Sequence, residues 1–290
     1  MPARDLLRSM RPAQWIKNLF VFAAPIFGRA LGRGPVLLRT AAAFALFCAL
    51  SSALYLANDV CDAAEDRLHP RKSKRPIASG RLRPAAAWTA AGLLTAVALA
   101  GAALLDGTFF AAAAAYVLLH LAYSWRLKHV VILDVFLVAA GFVLRVAAGG
   151  FVAGVRPSSW LLVCTTLIAL LLALGKRRHE FVFLEVDAAA HRSVLGEYDV
   201  LLLDQMIAVV TAATAVTYAL YCMAGETVRH FGSEKLLWTA PFVLYGIFRY
   251  LYLVYRRGQG GSPEELLVRD GPLLLTAALW IATAAALIYF

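Results

Sequence analysis

Long apolar stretches alternate with short polar breaks along the whole of the 290-residue chain. Each stretch is close to the roughly 20 residues that an α-helix needs to cross the hydrocarbon core of a bilayer. No polar region is long enough for a separate soluble domain of about 100 residues. The pattern therefore predicts one all-α, polytopic membrane domain over residues 1–290 with nine transmembrane helices. The predicted spans are 15–31, 37–59, 85–105, 108–125, 130–153, 159–175, 200–223, 236–255 and 271–290.

The composition also indicates a membrane protein. Hydrophobic residues make up 61% of the chain and charged residues 16%, whereas a soluble domain is about 25% charged. The formal net charge of +10 would suit a nucleic-acid partner, but in a membrane protein the distribution of Lys and Arg matters more than their sum. We therefore predict the bilayer, and no nucleic acid, as a partner.

The distribution of basic residues predicts the orientation of the chain. With a cytosolic N-terminus, twenty Lys and Arg fall in inside segments and six in outside segments. The positive-inside rule favours this orientation, which places the C-terminus outside. Two inside loops, 60–84 and 176–199, are long and dense in charge. Loops of this length usually have a function, so we expect them to form the site.

The first charged motif continues from the end of the second predicted span and reads NDVCDAAEDR over residues 58–67. On a helix, Asn58, Asp62 and Asp66 fall within about 80° of arc, with Asp59 about 100° from Asn58. Carboxylates on one helix face repel one another unless a cation joins them, and oxygen ligands suit Mg²⁺, which is normally shared with substrate phosphates. We predict that Asn58, Asp59, Asp62 and Asp66 bind Mg²⁺ and that the three carboxylates are catalytic. The alternative is a solvated acidic helix end.

A basic run, RKSKRP over residues 71–76, follows the acidic motif, and Arg67 stands just before it. Basic side chains at this point can neutralise substrate phosphates that a metal ion does not reach. The alternative is a topological signal that contacts lipid headgroups. We expect Arg67, Lys74 and Arg75 to contact the substrate.

The spacing Asn-Asp-x-x-Asp-x-x-x-Asp, in a protein with nine predicted spans, resembles the UbiA superfamily of intramembrane prenyltransferases. The resemblance covers essentially the whole chain. It implies an all-helical fold whose active-site cavity opens to the cytosol and to lipid. It also implies Mg²⁺ as the cofactor, a diphosphate substrate, and assembly as a homo-oligomer, a homotrimer.

One loop departs from the aromatic prenyltransferases of this superfamily. Those enzymes carry a second acidic motif, Asp-x-x-x-Asp, after the sixth span. At that place this chain has GKRRHE over residues 175–180. This departure favours a basic pocket for a further phosphate over a second Mg²⁺ site. Polar residues that follow in the same loop are Glu185, Asp187, His191, Arg192 and Tyr198.

Four segments narrow the resemblance to the phosphoribosyltransferase branch of the superfamily. They are RPAQWIKN (11–18), YSWRLK (123–128, before Asp134), GFVLR (141–145) and GKRR (175–178). The branch implies transfer of 5-phosphoribose from phosphoribosyl diphosphate to a polyprenyl (decaprenyl) phosphate in the bacterial plasma membrane, for cell-wall arabinan synthesis. The donor carries a diphosphate and a separate 5-phosphate, which suits one acidic motif plus a distinct cationic loop.

Further substrate-binding residues are expected at the ends of the spans. We expect Lys176, Arg177 and Arg178 to bind phosphate groups, and Glu180 to bind ribose hydroxyls or orient the loop. Arg145 lies near mid-bilayer, where a charge usually faces a polar cavity; the alternative is a structural ion pair with Asp204 or another helix. The remaining expected substrate-binding residues are Lys17, Asn18, Asn58, Tyr123, Lys128, Asp134 and Tyr198.

Two other functions remain open at this point. An aromatic prenyltransferase would keep the first acidic motif but should carry the second one. A non-enzymatic lipid transporter would explain the spans and Arg145, but it leaves the acidic motif unexplained, and the sequence has no internal repeat of the kind that transporters use.

Overall fold

The computed structural model describes residues 2–68, 72–183 and 196–289. All regular elements within these ranges are helical, as the sequence predicts. The chain divides into two compact units. The first comprises Met1–Lys128 and Leu144–Arg156, and the second comprises His129–Val143 and Pro157–Phe290.

The first unit contains the N-terminal helices and the acidic motif. Its α-helices are α1 (Pro2–Met10), α2 (Ala23–Phe27), α3 (Gly34–Cys61), α4 (Ala63–Leu68), α5 (Pro84–Leu105) and α6 (Gly107–Trp125). Two 3₁₀ helices, Pro12–Phe22 and Lys72–Lys74, lie between them. The C-terminal half of α7 (Leu133–Ala153) also belongs to this unit.

The second unit contains the remaining long helices and the basic segment at the end of the sixth predicted span. It includes the N-terminal half of α7 and a 3₁₀ helix, Lys235–Thr239. Its other elements are α8 (Ser159–Phe183), α9 (Val200–Met223), α10 (Gly225–Phe231), α11 (Ala240–Arg256), α12 (Pro263–Arg269) and α13 (Gly271–Tyr289).

Eight helical segments of the described chain are long and apolar enough to cross a membrane, and they match eight of the nine predicted spans. The all-α membrane fold is thereby confirmed. The first predicted span, 15–31, is built differently, from the 3₁₀ helix Pro12–Phe22 and the five-residue helix α2. Pro25 lies in α2, and because proline is tolerated only in the first turn of an α-helix, a helix that contains it must begin close by.

Small side chains allow the helices of the first unit to pack closely. Ala98 and Ala102 of α5 are fully buried, and Phe47 of α3 is buried in the same cluster. The ring of Phe47 lies 5.8 Å from that of Phe109 and 5.2 Å from that of Tyr116, both on α6. Small residues let helix backbones approach one another in lipid, where van der Waals packing drives association.

The 3₁₀ helix Pro12–Phe22 lies against α7 at Gly149. A Cβ at Gly149 would be 1.8 Å from the carbonyl oxygen of Val21, so the contact requires a glycine. This contact holds the segment that carries two predicted site residues, Lys17 and Asn18.

We predict that Gly149→Ala destabilises the protein by roughly 1–3 kcal/mol, because the added methyl group must displace the Val21 backbone. Thermal unfolding of the purified protein in detergent would measure the change. The matched control is Gly92→Ala in α5, where a Cβ meets nothing within 4 Å. An equal unfolding midpoint for the two variants would contradict the prediction.

Candidate functional site

The acidic motif runs from the end of α3 into α4 and keeps helical spacing. The backbone N–H of Asp62 donates to the carbonyl oxygen of Asn58 at 2.8 Å, and the N–H of Asp66 donates to that of Asp62 at 2.8 Å. These bonds between residues four apart place Asn58, Asp62 and Asp66 on one helix face, as the sequence predicts. Asp59 lies about 100° from Asn58 and about 20° from Asp66, at the edge of this face.

Two arginines meet at the carboxylate of Asp59, which is 2% exposed. Its Oδ1 accepts a hydrogen bond from Nη2 of Arg11 and a second from Nη1 of Arg75 at 3.1 Å. The same Nη1 of Arg75 donates to Oδ2 of Asp66 at 2.6 Å. Arg75 therefore bridges two carboxylates of the motif, whereas Arg11 pairs with Asp59.

The other two polar side chains of the motif have different partners. Oδ1 of Asp62 lies 3.0 Å from Nζ of Lys128, and the Asp62 side chain is 34% exposed. Oδ1 of Asn58 accepts a hydrogen bond from Oγ of Ser124 at 2.7 Å. The end of α6 and the residues after it thus contact the face of the motif that carries Asn58 and Asp62.

The ligand atoms of the motif fit Mg²⁺, which prefers oxygen. Asn58 offers its amide oxygen, and Asp62 and Asp66 offer two carboxylates. In the described part of the chain, no three His, Cys, Asp or Glu side chains converge closely enough to hold a metal ion. The carboxylates are instead turned towards Arg11, Arg75 and Lys128. A Mg²⁺ ion would compete with Arg75 for Asp66 and with Lys128 for Asp62.

The backbone of Arg11 adopts a left-handed conformation, with φ 53° and ψ 64°. This conformation costs a non-glycine residue roughly 1–2 kcal/mol. The guanidinium of Arg11 also lies over the ring of Tyr55, 4.9 Å from its centroid. Contacts with Asp59 and Tyr55 therefore offset the backbone cost at the junction between α1 and the 3₁₀ helix.

The remaining basic residues predicted near the motif are more accessible. Nε of Arg67 donates to the carbonyl oxygen of Ala78 at 3.2 Å, and the residue is exposed. Lys74 is exposed, while Lys17 and Tyr123 are half-buried. Arg67 and Lys74 can therefore meet a ligand without breaking a buried ion pair.

Arg145 lies in a buried polar cluster of the first unit and is 4% exposed. Its Nε donates to Oδ1 of Asn18 at 2.8 Å, and its Nη2 donates to the hydroxyl oxygen of Tyr116 at 2.6 Å. Nδ2 of Asn18 in turn donates to Oγ of Ser51 at 3.1 Å. Arg145 therefore connects the 3₁₀ helix with α3 and α6.

In the second unit, Arg177 forms a buried ion pair with Asp134. Nε of Arg177 lies 2.6 Å from Oδ2 of Asp134, and their side chains are 4% and 0% exposed. Nη1 of Arg177 also donates to Oε2 of Glu180 at 2.5 Å. Because Arg177 is buried and held by two carboxylates, its geometry favours a structural role.

Tyr198 completes this network. Its hydroxyl donates to Oδ1 of Asp134 at 2.8 Å and accepts from the backbone N–H of Ile132 at 2.7 Å. Burial, followed by the hydrogen bond to Asp134, raises the pKa of the Tyr198 hydroxyl, so the group stays a proton donor. Ile132 has a positive φ of 66°, which is unusual for a β-branched residue, and the bond to Tyr198 holds it.

Arg178 pairs with Asp204, which was the alternative partner predicted for Arg145. Nε of Arg178 lies 2.6 Å from Oδ1 of Asp204, and its guanidinium lies 4.1 Å above the ring of Tyr255. Tyr255 also donates to Asp204 at 2.9 Å. Asp204 thus has an arginine partner, Arg178, that the sequence did not indicate.

Lys176 is the most accessible cation of the basic segment, with a side chain that is 45% exposed. Its Nζ lies 4.0 Å from Oε1 of Glu180, which is at the limit of an ion pair. Of the three basic residues predicted to bind phosphate, Lys176 thus needs the least rearrangement. Glu185, Asp187, His191 and Arg192, like Arg71 of the first basic run, lie outside the described residues.

Sequence reasoning missed two residues that contact the acidic motif, Arg11 and Ser124. Arg11 lies 48 positions before Asp59, and Ser124 lies 66 positions after Asn58. Both fall inside segments singled out by their resemblance to the superfamily, 11–18 and 123–128. Their place in those segments was the only signal, and it did not indicate what they contact.

We predict that Arg177→Met destabilises the protein by about 3 kcal/mol, because it leaves the carboxylate of Asp134 buried without its cation. The control, Lys176→Met, should change stability by less than about 1 kcal/mol, since exposed ion pairs contribute little. Thermal unfolding in detergent distinguishes the two. Equal stability of the two variants would show that the buried ion pair does not stabilise the fold.

Comparison with known proteins shows the family to which this chain belongs. The model of the UbiA prenyltransferase family matches residues 19–267. The chain is 34% identical to the decaprenyl-phosphate phosphoribosyltransferase of Mycolicibacterium smegmatis, over 98% of this chain and 92% of that protein. It is 35% identical to the protein of the same name from Mycobacterium tuberculosis, over 98% of this chain and 94% of the relative.

A solved structure shows the same fold. The UbiA homolog from Archaeoglobus fulgidus bound to GPP and Mg²⁺ superposes with a TM-score of 0.76 and 22% identity, over 99% of this chain and 100% of that one. The match to the family covers most of the chain, and both named relatives align over nearly their whole length. This integral membrane protein therefore belongs to the UbiA prenyltransferase family.

Proposed function

We propose that this membrane transferase moves a 5-phosphoribosyl group from phosphoribosyl diphosphate to a polyprenyl phosphate and releases diphosphate. The observation that carries the proposal is the near full-length similarity to two decaprenyl-phosphate phosphoribosyltransferases. The basic segment at 175–178, which takes the place of a second acidic motif, is consistent with a donor that has a separate phosphate. The product would supply lipid-linked pentose for cell-wall arabinan.

The reaction forms a bond between a lipid phosphate oxygen and C1 of the ribose. The bond between C1 and the diphosphate oxygen breaks, and the diphosphate leaves with the electron pair. The lipid phosphate is already anionic near neutral pH, so it can attack without a general base. The main task of the protein is to bring two anions together and neutralise their repulsion.

Asn58, Asp62 and Asp66 would hold Mg²⁺ through oxygen atoms of one helix face. When bound, the metal ion stabilises the negative charge that develops on the leaving diphosphate. Lys128 and Arg75 already lie next to Asp62 and Asp66, so both cations are within reach of a diphosphate that binds there.

Other cations would bind the phosphates that the acidic motif does not reach. We assign the donor's 5-phosphate to Lys176, because its ammonium is exposed and lies at the limit of its ion pair with Glu180. Arg67 and Lys74 are exposed, and we assign them to the diphosphate or to the lipid phosphate. Arg177 and Arg178 shape this segment through their carboxylate partners.

The protein would lie in the plasma membrane as an oligomer. The distribution of Lys and Arg favours a cytosolic N-terminus and cytosolic site loops in a bacterial plasma membrane. That orientation presents the acidic motif to phosphoribosyl diphosphate, which is a polar, cytosolic donor. We also propose the homotrimer that the family resemblance implies, which the mass of the purified protein in detergent would test.

The direct test is a membrane assay with radiolabelled phosphoribosyl diphosphate and decaprenyl phosphate, with and without Mg²⁺. We expect labelled lipid only when Mg²⁺ is present. A parallel reaction with a prenyl diphosphate and an aromatic acid tests the alternative chemistry. Activity in that reaction without labelled lipid in the first would overturn the proposed donor.

Site variants separate the metal from the phosphate contacts. We predict that Asp62→Asn lowers transfer by roughly two orders of magnitude or more, because it removes a metal ligand. Glu226→Gln, which changes an exposed carboxylate on α10, is its control.

Lys176→Ala should raise KM for phosphoribosyl diphosphate about ten- to a hundredfold with a smaller change in kcat, as expected for the loss of a charge-assisted hydrogen bond. Lys235→Ala removes another exposed lysine and should leave KM unchanged. Transfer by Asp62→Asn at the wild-type rate would contradict the assignment of Asp62 as a metal ligand. An unchanged KM in Lys176→Ala would exclude Lys176 from donor binding.

A further inference from the structure

We propose that Asp59 is not a metal ligand but the anchor of two arginines, and that Arg11 is its permanent counter-ion. Arg75 is then the cation that Asp59 shares with Asp66 and releases to the diphosphate. Arg11 acts through Asp59 and is therefore a positioning residue. The inference rests on the proposed use of a diphosphate substrate, and it assigns a separate task to one carboxylate of the motif.

The first support is the position of Asp59 on the helix. The three side chains spaced four residues apart, Asn58, Asp62 and Asp66, share one face, and their backbone hydrogen bonds preserve that spacing across the end of α3. Asp59 lies about 100° from Asn58 and about 20° beyond Asp66, so it is the outermost of the four side chains. A metal ion held over the middle of the face by Asn58, Asp62 and Asp66 would lie about 60° from the direction of Asp59.

The second support is the electrostatic surroundings of Asp59. One oxygen atom, Oδ1, accepts from both Arg11 and Arg75. A cation that approached this oxygen would meet two guanidinium groups of its own sign. Asp62, in contrast, pairs with Lys128 in the described part of the chain, and its side chain is 34% exposed. A metal ion therefore has easier access to Asp62 than to Asp59.

The third support is the way that the chain positions Arg11. The residue adopts a left-handed backbone conformation directly before Pro12, although a residue before proline normally takes an extended conformation. Its guanidinium lies over Tyr55 and reaches Asp59. An unfavourable backbone of this kind persists only where surrounding contacts hold it.

Together these contacts explain why Asp59 needs two arginines. In the structure as it stands, Arg75 donates to Asp59 and Asp66 from one nitrogen atom. When a metal ion binds Asp66, Arg75 is free to turn to the diphosphate only if another cation keeps the buried carboxylate of Asp59 paired. Arg11 meets that need, since an unpaired buried carboxylate would be costly.

The pair can be tested without any substrate. We expect Arg11→Gln and Asp59→Asn each to lower the thermal unfolding midpoint in detergent. The variant that carries both changes should be at least as stable as the less stable of the two single variants. Arg11→Lys, which keeps the charge, should recover part of the loss. Fully additive effects would overturn the pairing.

The assignment of roles is tested by binding of inorganic diphosphate in the presence of Mg²⁺, measured by thermal shift. Arg11→Gln should weaken binding about tenfold. Without Arg11, Asp59 keeps Arg75 as its counter-ion, so Arg75 makes no charge-assisted contact with the diphosphate. Asp59→Asn should bind within about threefold of the wild type or more tightly, and adding it to Arg11→Gln should restore affinity. Asp62→Asn, a ligand variant, should lose binding.

Two results would contradict the assignment of roles. Equal loss of binding in Asp59→Asn and Asp62→Asn would make Asp59 a metal ligand. Unchanged binding in Arg11→Gln would reduce Arg11 to a structural contact. If the wild type binds no diphosphate, the proposed function fails, whereas the Arg11 and Asp59 pair is still decided by the stability of the variants.

Discussion

Carboxylates at the end of an apolar membrane helix must be paired with cations, and this requirement organises the first unit. Asp59, Asp62 and Asp66 draw partners from three separate parts of the chain: Arg11 from the N-terminus, Arg75 from the loop after α4, and Lys128 from the end of α6. Without these cations the three carboxylates would repel one another. The arrangement that stabilises the motif also gathers the positive charge that a diphosphate requires.

The second unit uses the same chemistry for a different purpose. Arg177 and Arg178, adjacent in sequence, are each held by an aspartate from another helix, Asp134 and Asp204. A buried ion pair contributes little net stability, but it favours one arrangement of the side chains, because a buried charge without its partner would destabilise the fold. The three basic residues of this segment therefore differ: the two arginines form ion pairs that stabilise the structure, whereas Lys176 is accessible.

The features that depend on local sequence patterns were predicted correctly, whereas contacts between residues far apart in the chain were not. The apolar stretches gave the helices, and the spacing of Asn58, Asp62 and Asp66 gave their common face, because both depend only on helical periodicity. The pairing of Arg11 with Asp59 depends on packing between residues 48 positions apart, which no spacing encodes. The first predicted span is a 3₁₀ helix and a short α-helix because Pro25 limits where an α-helix can begin.

The 3₁₀ helix Pro12–Phe22 has a consequence for tolerance of insertions. With three residues per turn, side chains three apart eclipse one another, so Trp15, Asn18 and Val21 fall in one row. Trp15 donates to Ser52 and Asn18 to Ser51, while the carbonyl of Val21 faces Gly149. A single added or deleted residue within the row would misalign its members with their partners, so this segment can change its side chains more readily than its length.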